Sequence, residues 1–197
     1  MMNDNIWAIV LAAGESSRLG RPKMLIPFRG KTMIETVIDN ILSSSVKKAV
    51  VVLGAFSEEI TRLIQHLPVM TCFNENYTKG MLSSVQCGVR FLPQNFEAVL
   101  VVPGDQPLIE PKIIDNMVVS YRRTPKGIII PVYKGERGHP VLIDRKYRIA
   151  IDDLDESRGL RMLSEIYTED VLEMETDSSG ILKDFDNEAD FETEIAN

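Results

Sequence analysis

The 197-residue chain is poor in three residue types: it has two cysteines, two histidines and one tryptophan. Cys72 and Cys87 are too few for the disulfide framework of a small secreted domain, so free thiols in a reducing compartment are expected. His66 and His139 are too few and too isolated for a zinc site. A basic excess is missing as well: 22 Lys and Arg stand against 29 Asp and Glu, a net charge of −7. A nucleic-acid binder normally shows a basic face, so no nucleic-acid partner is expected. No apolar run approaches the roughly 20 residues of a membrane helix. The start, MMNDNIWAIVLAAG, carries no basic leader. The expected setting is the cytoplasm, with no membrane partner.

What is present is ordinary globular composition, with 44% hydrophobic and 26% charged residues, in a length that suits one domain spanning residues 1–197. Short apolar runs at 6–11, 48–53, 69–73, 98–102 and 127–132 are continuous rather than alternating, as in strands buried on both faces. Between them lie helical stripes: Met33, Val37, Ile38, Ile41 and Leu42; Met81, Leu82, Val85, Val89 and Leu92; Ile113, Ile114, Met117 and Val118. Alternation of strand and helix predicts βαβ units. VYKGERGHPVLID (132–144) breaks the rhythm, with Gly135 and Gly138 between two apolar runs, and reads as a β-hairpin. The expected fold is α/β: three layers, a mainly parallel twisted sheet with helices on both faces, and a β-hairpin insertion.

Ligands of open parallel sheets bind beyond the carboxyl ends of the strands. LAAGESSRLGRPK (11–23) occupies that place after the first strand. Five residues separate Gly14 from Gly20, which rules out a Walker A loop, and no G-x-G-x-x-G is present. Pro22 disfavours helix at Arg21. Two readings fit: an irregular loop that wraps a triphosphate with Arg18 and Lys23 as cations, or a solvated basic turn. VLVVPGDQPLI (99–109) sets Asp105 just past a buried strand, in a loop stiffened by Pro103 and Pro107. A carboxylate there suits Mg²⁺, which takes one or two carboxylates, waters and substrate phosphates; an ordinary turn uses the same residues. Both loops are expected at one edge of the sheet.

LAAGESSRLGRPK, GMLSS, GDQP and RGHPVLI together resemble the MobA-like nucleotidyltransferases, most closely the molybdenum cofactor cytidylyltransferases, in order from about residue 6 to 190. The resemblance implies a nucleotide-diphospho-sugar transferase-like fold. It also implies an enzyme that moves a nucleoside monophosphate from a triphosphate to a phosphorylated acceptor and releases pyrophosphate. Leu11, Ala12, Ala13, Gly14, Ser16, Arg18, Gly20 and Lys23 match the family's first loop, with Leu19 in place of the usual Met. The match implies that residues 12–14 approach base and ribose while Arg18 and Lys23 hold the triphosphate. Ala13, where the guanylyltransferase branch usually has Gly, implies CTP.

Gly80, Ser83 and Ser84 match a nucleotide-binding helix start, although serines in a first turn also serve as caps. Asp105 matches the metal-binding aspartate. DFDNEAD (184–190) departs from the family's D-[IV]-D-T-P-E-D at Asn187 and Glu188; Asp186 is the expected second metal ligand, with Asp184 in reserve, and a solvated acidic tail is the alternative. His139 and Arg161 match the acceptor side; a structural histidine and a Glu-paired arginine are the plainer readings. Lys23, Arg18 and Asp105 are thus the expected catalytic set, with a molybdopterin-type acceptor and a molybdoenzyme as recipient. Rival acceptors are a sugar, polyol or methylerythritol phosphate. A rival of another class is a protein that delivers the molybdenum cofactor to a xanthine-dehydrogenase-type enzyme.

Overall fold

A computed structural model describes residues 5–16 and 22–185. The chain begins with β1 (Ile6–Ala12), followed by a two-stranded ribbon of β2 (Pro27–Phe28) and β3 (Lys31–Thr32). Then come α1 (Met33–Ser43), β4 (Lys48–Leu53), α2 (Ser57–Ile64), β5 (Met70–Phe73), α3 (Met81–Phe91), β6 (Ala98–Pro103) and α4 (Pro111–Arg123). The rest holds β7 (Ile128–Tyr133), β8 (Glu136–Arg137), β9 (Val141–Asp144), α5 (Arg148–Asp152), α6 (Arg161–Ile166) and β10 (Val171–Glu175). No described helix is long and apolar enough to cross a membrane.

The main sheet runs β10-β7-β9-β6-β1-β4-β5, with β8 pairing to β7. Every neighbouring pair is parallel except those made by β8 and β9. The hairpin is therefore not an appendage: its return strand β9 is inserted between β6 and β7. Successive residues of a strand point to opposite faces, and here each face has its own core. Ala8, Val10 and Ala12 of β1 pack with residues of α1, α2 and α4. Ile9 and Leu11 pack with α3, α5 and α6. That double burial is the physical reason the strands read as unbroken apolar runs, and it makes the molecule three-layered.

Two sequence expectations change. The run 69–73 becomes an edge strand, with Met70 46% and Phe73 53% exposed, because β5 pairs only with β4. Met81 leaves the buried stripe of α3: it is the first helical residue and is exposed, while Leu82, Val85 and Val89 face the sheet.

Candidate active site

The ends of β1 and β6 bring the two loops together. These strands are parallel neighbours with Leu11 opposite Pro103, and the amide of Gly104 donates to the Leu11 carbonyl at 3.0 Å. Ser16 adopts a left-handed φ of 52°, and its Oγ accepts from the Lys23 amide at 3.0 Å. This bond ties Ser16 to Lys23 seven residues further along the chain. Lys23, so placed at the start of a 3₁₀ turn, donates from Nζ to Asp105 Oδ2 at 2.7 Å. The two side chains are only 12% and 21% exposed, so salt screens this pair less than a surface one. The residue beside it, Gln106, is buried, and its Oε1 has no hydrogen-bond partner among the described residues.

Of the other first-loop candidates, Leu11 and Ala12 are strand residues packed into opposite cores, so neither side chain is available to a ligand. Ala13 is buried and Gly14 exposed. The Ala13 carbonyl accepts from the Ala55 amide at 3.2 Å, and a Cβ on Gly54 would lie 2.4 Å from that oxygen and 2.8 Å from the Tyr77 side chain. Only glycine allows the turn after β4 to lie so close. Arg18 falls outside the described residues.

Gly80, with φ +99°, is the N-cap of α3. Ser83 and Ser84 are buried behind it, and neither caps the helix by its side chain. Asn74 Nδ2 donates to both hydroxyls, at 2.9 and 3.0 Å, and Ser83 Oγ donates to the carbonyls of Gly80 and Asn76. The serines organise the turn from within; their side chains do not line an open surface. Asn74 was not singled out by sequence, although it directly follows an apolar strand.

The hairpin and the C-terminal segment form the other side. His139 donates its amide to the Ile181 carbonyl at 2.9 Å, and a Cβ on Gly138 would meet that same oxygen at 2.4 Å. Phe185, 1% exposed, packs against Phe28 with ring centroids 5.3 Å apart. A lone aromatic among acids in DFDNEAD is the signal for this anchor, which holds Asp184 beside the site. Asp186 lies outside the described residues. Burial pushes the His139 imidazole below its ordinary value, against the opposing pull of Asp105 and Asp184. Those carboxylates suit Mg²⁺, a hard cation that keeps waters and uses one or two of them. No group of three or more metal-ligating side chains is found among the described residues.

His139 also lines a cavity of about 310 Å³. Its floor is apolar, with Val101, Ile128, Ile130, Val141 and Ile143, and its rim carries Arg137, Arg158 and Arg161. Arg161 is 84% exposed and pairs with Glu165 at 3.0 Å; Arg158 pairs with the same carboxylate, and Arg137 with Glu173 at 2.7 Å. Arg137 lies inside the hairpin segment VYKGERGHPVLID and Arg158 three residues before Arg161, but only the fold sets them on one rim.

Comparison with known proteins decides the assignment. Residues 8–171 match the family model described as MobA-like NTP transferase domain. This chain belongs to that family. The MobA-like relatives include a protein of Paenarthrobacter nicotinovorans named nicotine blue oxidoreductase, 31% identical over 154 residues and 74% of each chain. Another is the molybdenum cofactor cytidylyltransferase of Escherichia coli K12, 28% identical over 95% of this chain and 94% of its own. Rv0371c of Mycobacterium tuberculosis H37Rv shares the fold, with a TM-score of 0.86, 22% identity and 98% of each chain covered. Its manganese complex superposes with a TM-score of 0.78, at 20% identity and 98% coverage of each chain. As a MobA-like protein the chain is a nucleotidyltransferase on an α/β, mainly parallel fold.

Proposed function

We propose that this nucleotidyltransferase transfers CMP from CTP to a molybdopterin-type phosphorylated acceptor and releases pyrophosphate. The observation that carries the reading is the position of His139: it lines the arginine-rimmed cavity and also lies within reach of the charges of Asp105 and Asp184. A triphosphate on the Lys23–Asp105 side and an acceptor in the cavity would then meet at one place. The apolar floor suits a flat ring system and the rim suits its phosphate.

The acceptor phosphate is itself the nucleophile, so no general base is needed. One of its oxygens attacks the α-phosphorus in line, and the bond to the β-phosphate oxygen breaks. Catalysis is alignment and charge neutralisation. Lys23 is pre-positioned for the triphosphate by Ser16, and Arg18 would join it. Asp105 with Asp184 or Asp186 would hold Mg²⁺, which supplies charge neutralisation at the phosphates. Ala12, Ala13, Gly14 and Gly80 would contribute backbone to the base and ribose, and Ser83 and Ser84 support that turn. Ala13, whose carbonyl accepts from the Ala55 amide, stands where the base would lie, and a methyl in place of a glycine hydrogen there would favour the smaller cytosine. The reading places the protein in the cytoplasm, passing its product to a molybdoenzyme.

The test is pyrophosphate release with each of the four triphosphates, with and without molybdenum cofactor. CTP with cofactor should be clearly fastest; release with a sugar or polyol phosphate alone would move the acceptor, and GTP preference the nucleotide. The oxidoreductase name of the 31% identical relative makes a redox reaction the second reading. NADH consumption without pyrophosphate release would favour it.

A further inference from the structure

Cys72 of β5 and Cys87 of α3 lie with sulfurs 3.9 Å apart, and Cys87 also approaches the Phe73 carbonyl at 3.5 Å. Both are free thiols of intermediate burial. A disulfide needs about 2.05 Å between sulfurs, a closure that side-chain rotation and a small movement of the edge strand can supply. β5 is the strand free to make it, because it is held on one side only, by β4. We propose that Cys72 and Cys87 are an oxidisable pair that forms an intramolecular disulfide with a low-molecular-weight disulfide as oxidant, clamping β5 to α3.

The chemistry runs in two exchanges. The Cys87 thiolate attacks one sulfur of glutathione disulfide, the S–S bond breaks, and one glutathione leaves. Cys72 then attacks the Cys87 sulfur of the mixed disulfide, gives up its proton to solvent, and releases the second glutathione. The order follows from the surroundings. Burial, the Cys87 charge and the Cys87 hydrogen bond together push the Cys72 thiol up to about 12. Burial is the largest of these causes, so Cys72 stays protonated and shielded from a disulfide in solution while Cys87 reacts, and it then attacks only the Cys87 sulfur already beside it.

The clamp lies under the turn described above. Asn74, two residues beyond Cys72, holds the hydroxyls of Ser83 and Ser84, which precede Cys87 by one helical turn. Oxidation therefore stiffens the entry to α3.

The test uses the reduced full chain, glutathione disulfide and intact-mass spectrometry, without any activity assay. The expected product has lost two hydrogens and both titratable thiols, shows a 72–87 cross-linked peptide, and reverts with dithiothreitol. Cys72→Ala is expected to stop at a stable glutathione adduct on Cys87, and Cys87→Ala to stay unmodified, with folding of each checked by circular dichroism. Amide exchange across residues 70–91 should slow in the oxidised chain. A lasting glutathione adduct on the unsubstituted protein, a cross-link between two copies, or retention of both thiols under conditions that oxidise the urea-unfolded chain would each overturn the proposal.

Discussion

Two ion pairs of similar length in the candidate active site differ in their surroundings. Lys23–Asp105 spans 2.7 Å with side chains 12% and 21% exposed, whereas Arg161–Glu165 spans 3.0 Å with side chains 84% and 35% exposed. The first is held by two strand-end loops and a serine that pins its lysine, so its charges are fixed before any ligand arrives. The second sits on the surface of a short helix, where such a pair contributes about 0–1 kcal/mol and is easily exchanged. A guanidinium on that rim can leave Glu165 for an incoming phosphate at little cost. Under the proposed function, pre-set charge would meet the reacting phosphates and exchangeable charge would capture the acceptor reversibly.

The largest expected effect tests the fixed pair. Asp105→Ala should abolish turnover at saturating Mg²⁺ while far-UV circular dichroism still shows the folded chain; the melting temperature should fall, because the largely buried Lys23 loses this partner. Near wild-type kcat would remove the metal role and put the two pairs on the same footing. Lys23→Met should lower kcat/KM roughly 10²–10³-fold, the loss expected when a charge met by the transition state is removed. Unchanged kinetics would make the opening loop a surface turn.

Moving the wall between the pairs should have an intermediate effect. In Gly138→Ala the new methyl meets the Ile181 carbonyl at 2.4 Å, so the hairpin and C-terminal segment must separate. Urea unfolding should show a loss of about 1–3 kcal/mol. On the exchangeable side, the double variant Arg158→Ala/Arg161→Ala should raise the acceptor KM about tenfold, or about 1.4 kcal/mol. The CTP KM and the melting temperature should be almost unchanged; a large loss of stability would show that the rim is structural.

The smallest effect concerns a carboxylate of a structural kind. Glu35 closes a capping box at the start of α1, and the Thr32 hydroxyl is the main cause that lowers its pKa. A lowered folded value means that the contribution is present above the ordinary carboxylate pKa and is lost as pH falls through the folded value. Thr32→Ala should cost about 1 kcal/mol at pH 7, and the difference from wild type should shrink once Glu35 protonates, read by urea unfolding across the acid range.

The one-dimensional pattern determined much about this protein. Continuous apolar runs and 3.6-residue stripes located β1, β4, β5, β6 and β7 and α1, α3 and α4, because burial leaves a local signature along a regular element, whereas α2, α5, α6 and β10 were not singled out. Gly, Pro and Asp at a strand end likewise marked the loops of Lys23 and Asp105, which lie near their strands in the chain. Tertiary structure alone decided what depends on contacts between distant segments. It turned the 69–73 run into an exposed edge, set β9 between β6 and β7, and used the hydroxyls of Ser16, Ser83 and Ser84 for internal bonds. It also gathered Arg137, Arg158 and Arg161 on one rim, buried Phe185 so that Asp184 stands near His139, and brought Cys72 to Cys87. The physical reason is range: strand and helix patterns repeat over two to four residues, whereas a site is assembled from loops whose spacing in the chain says nothing of their distance in space.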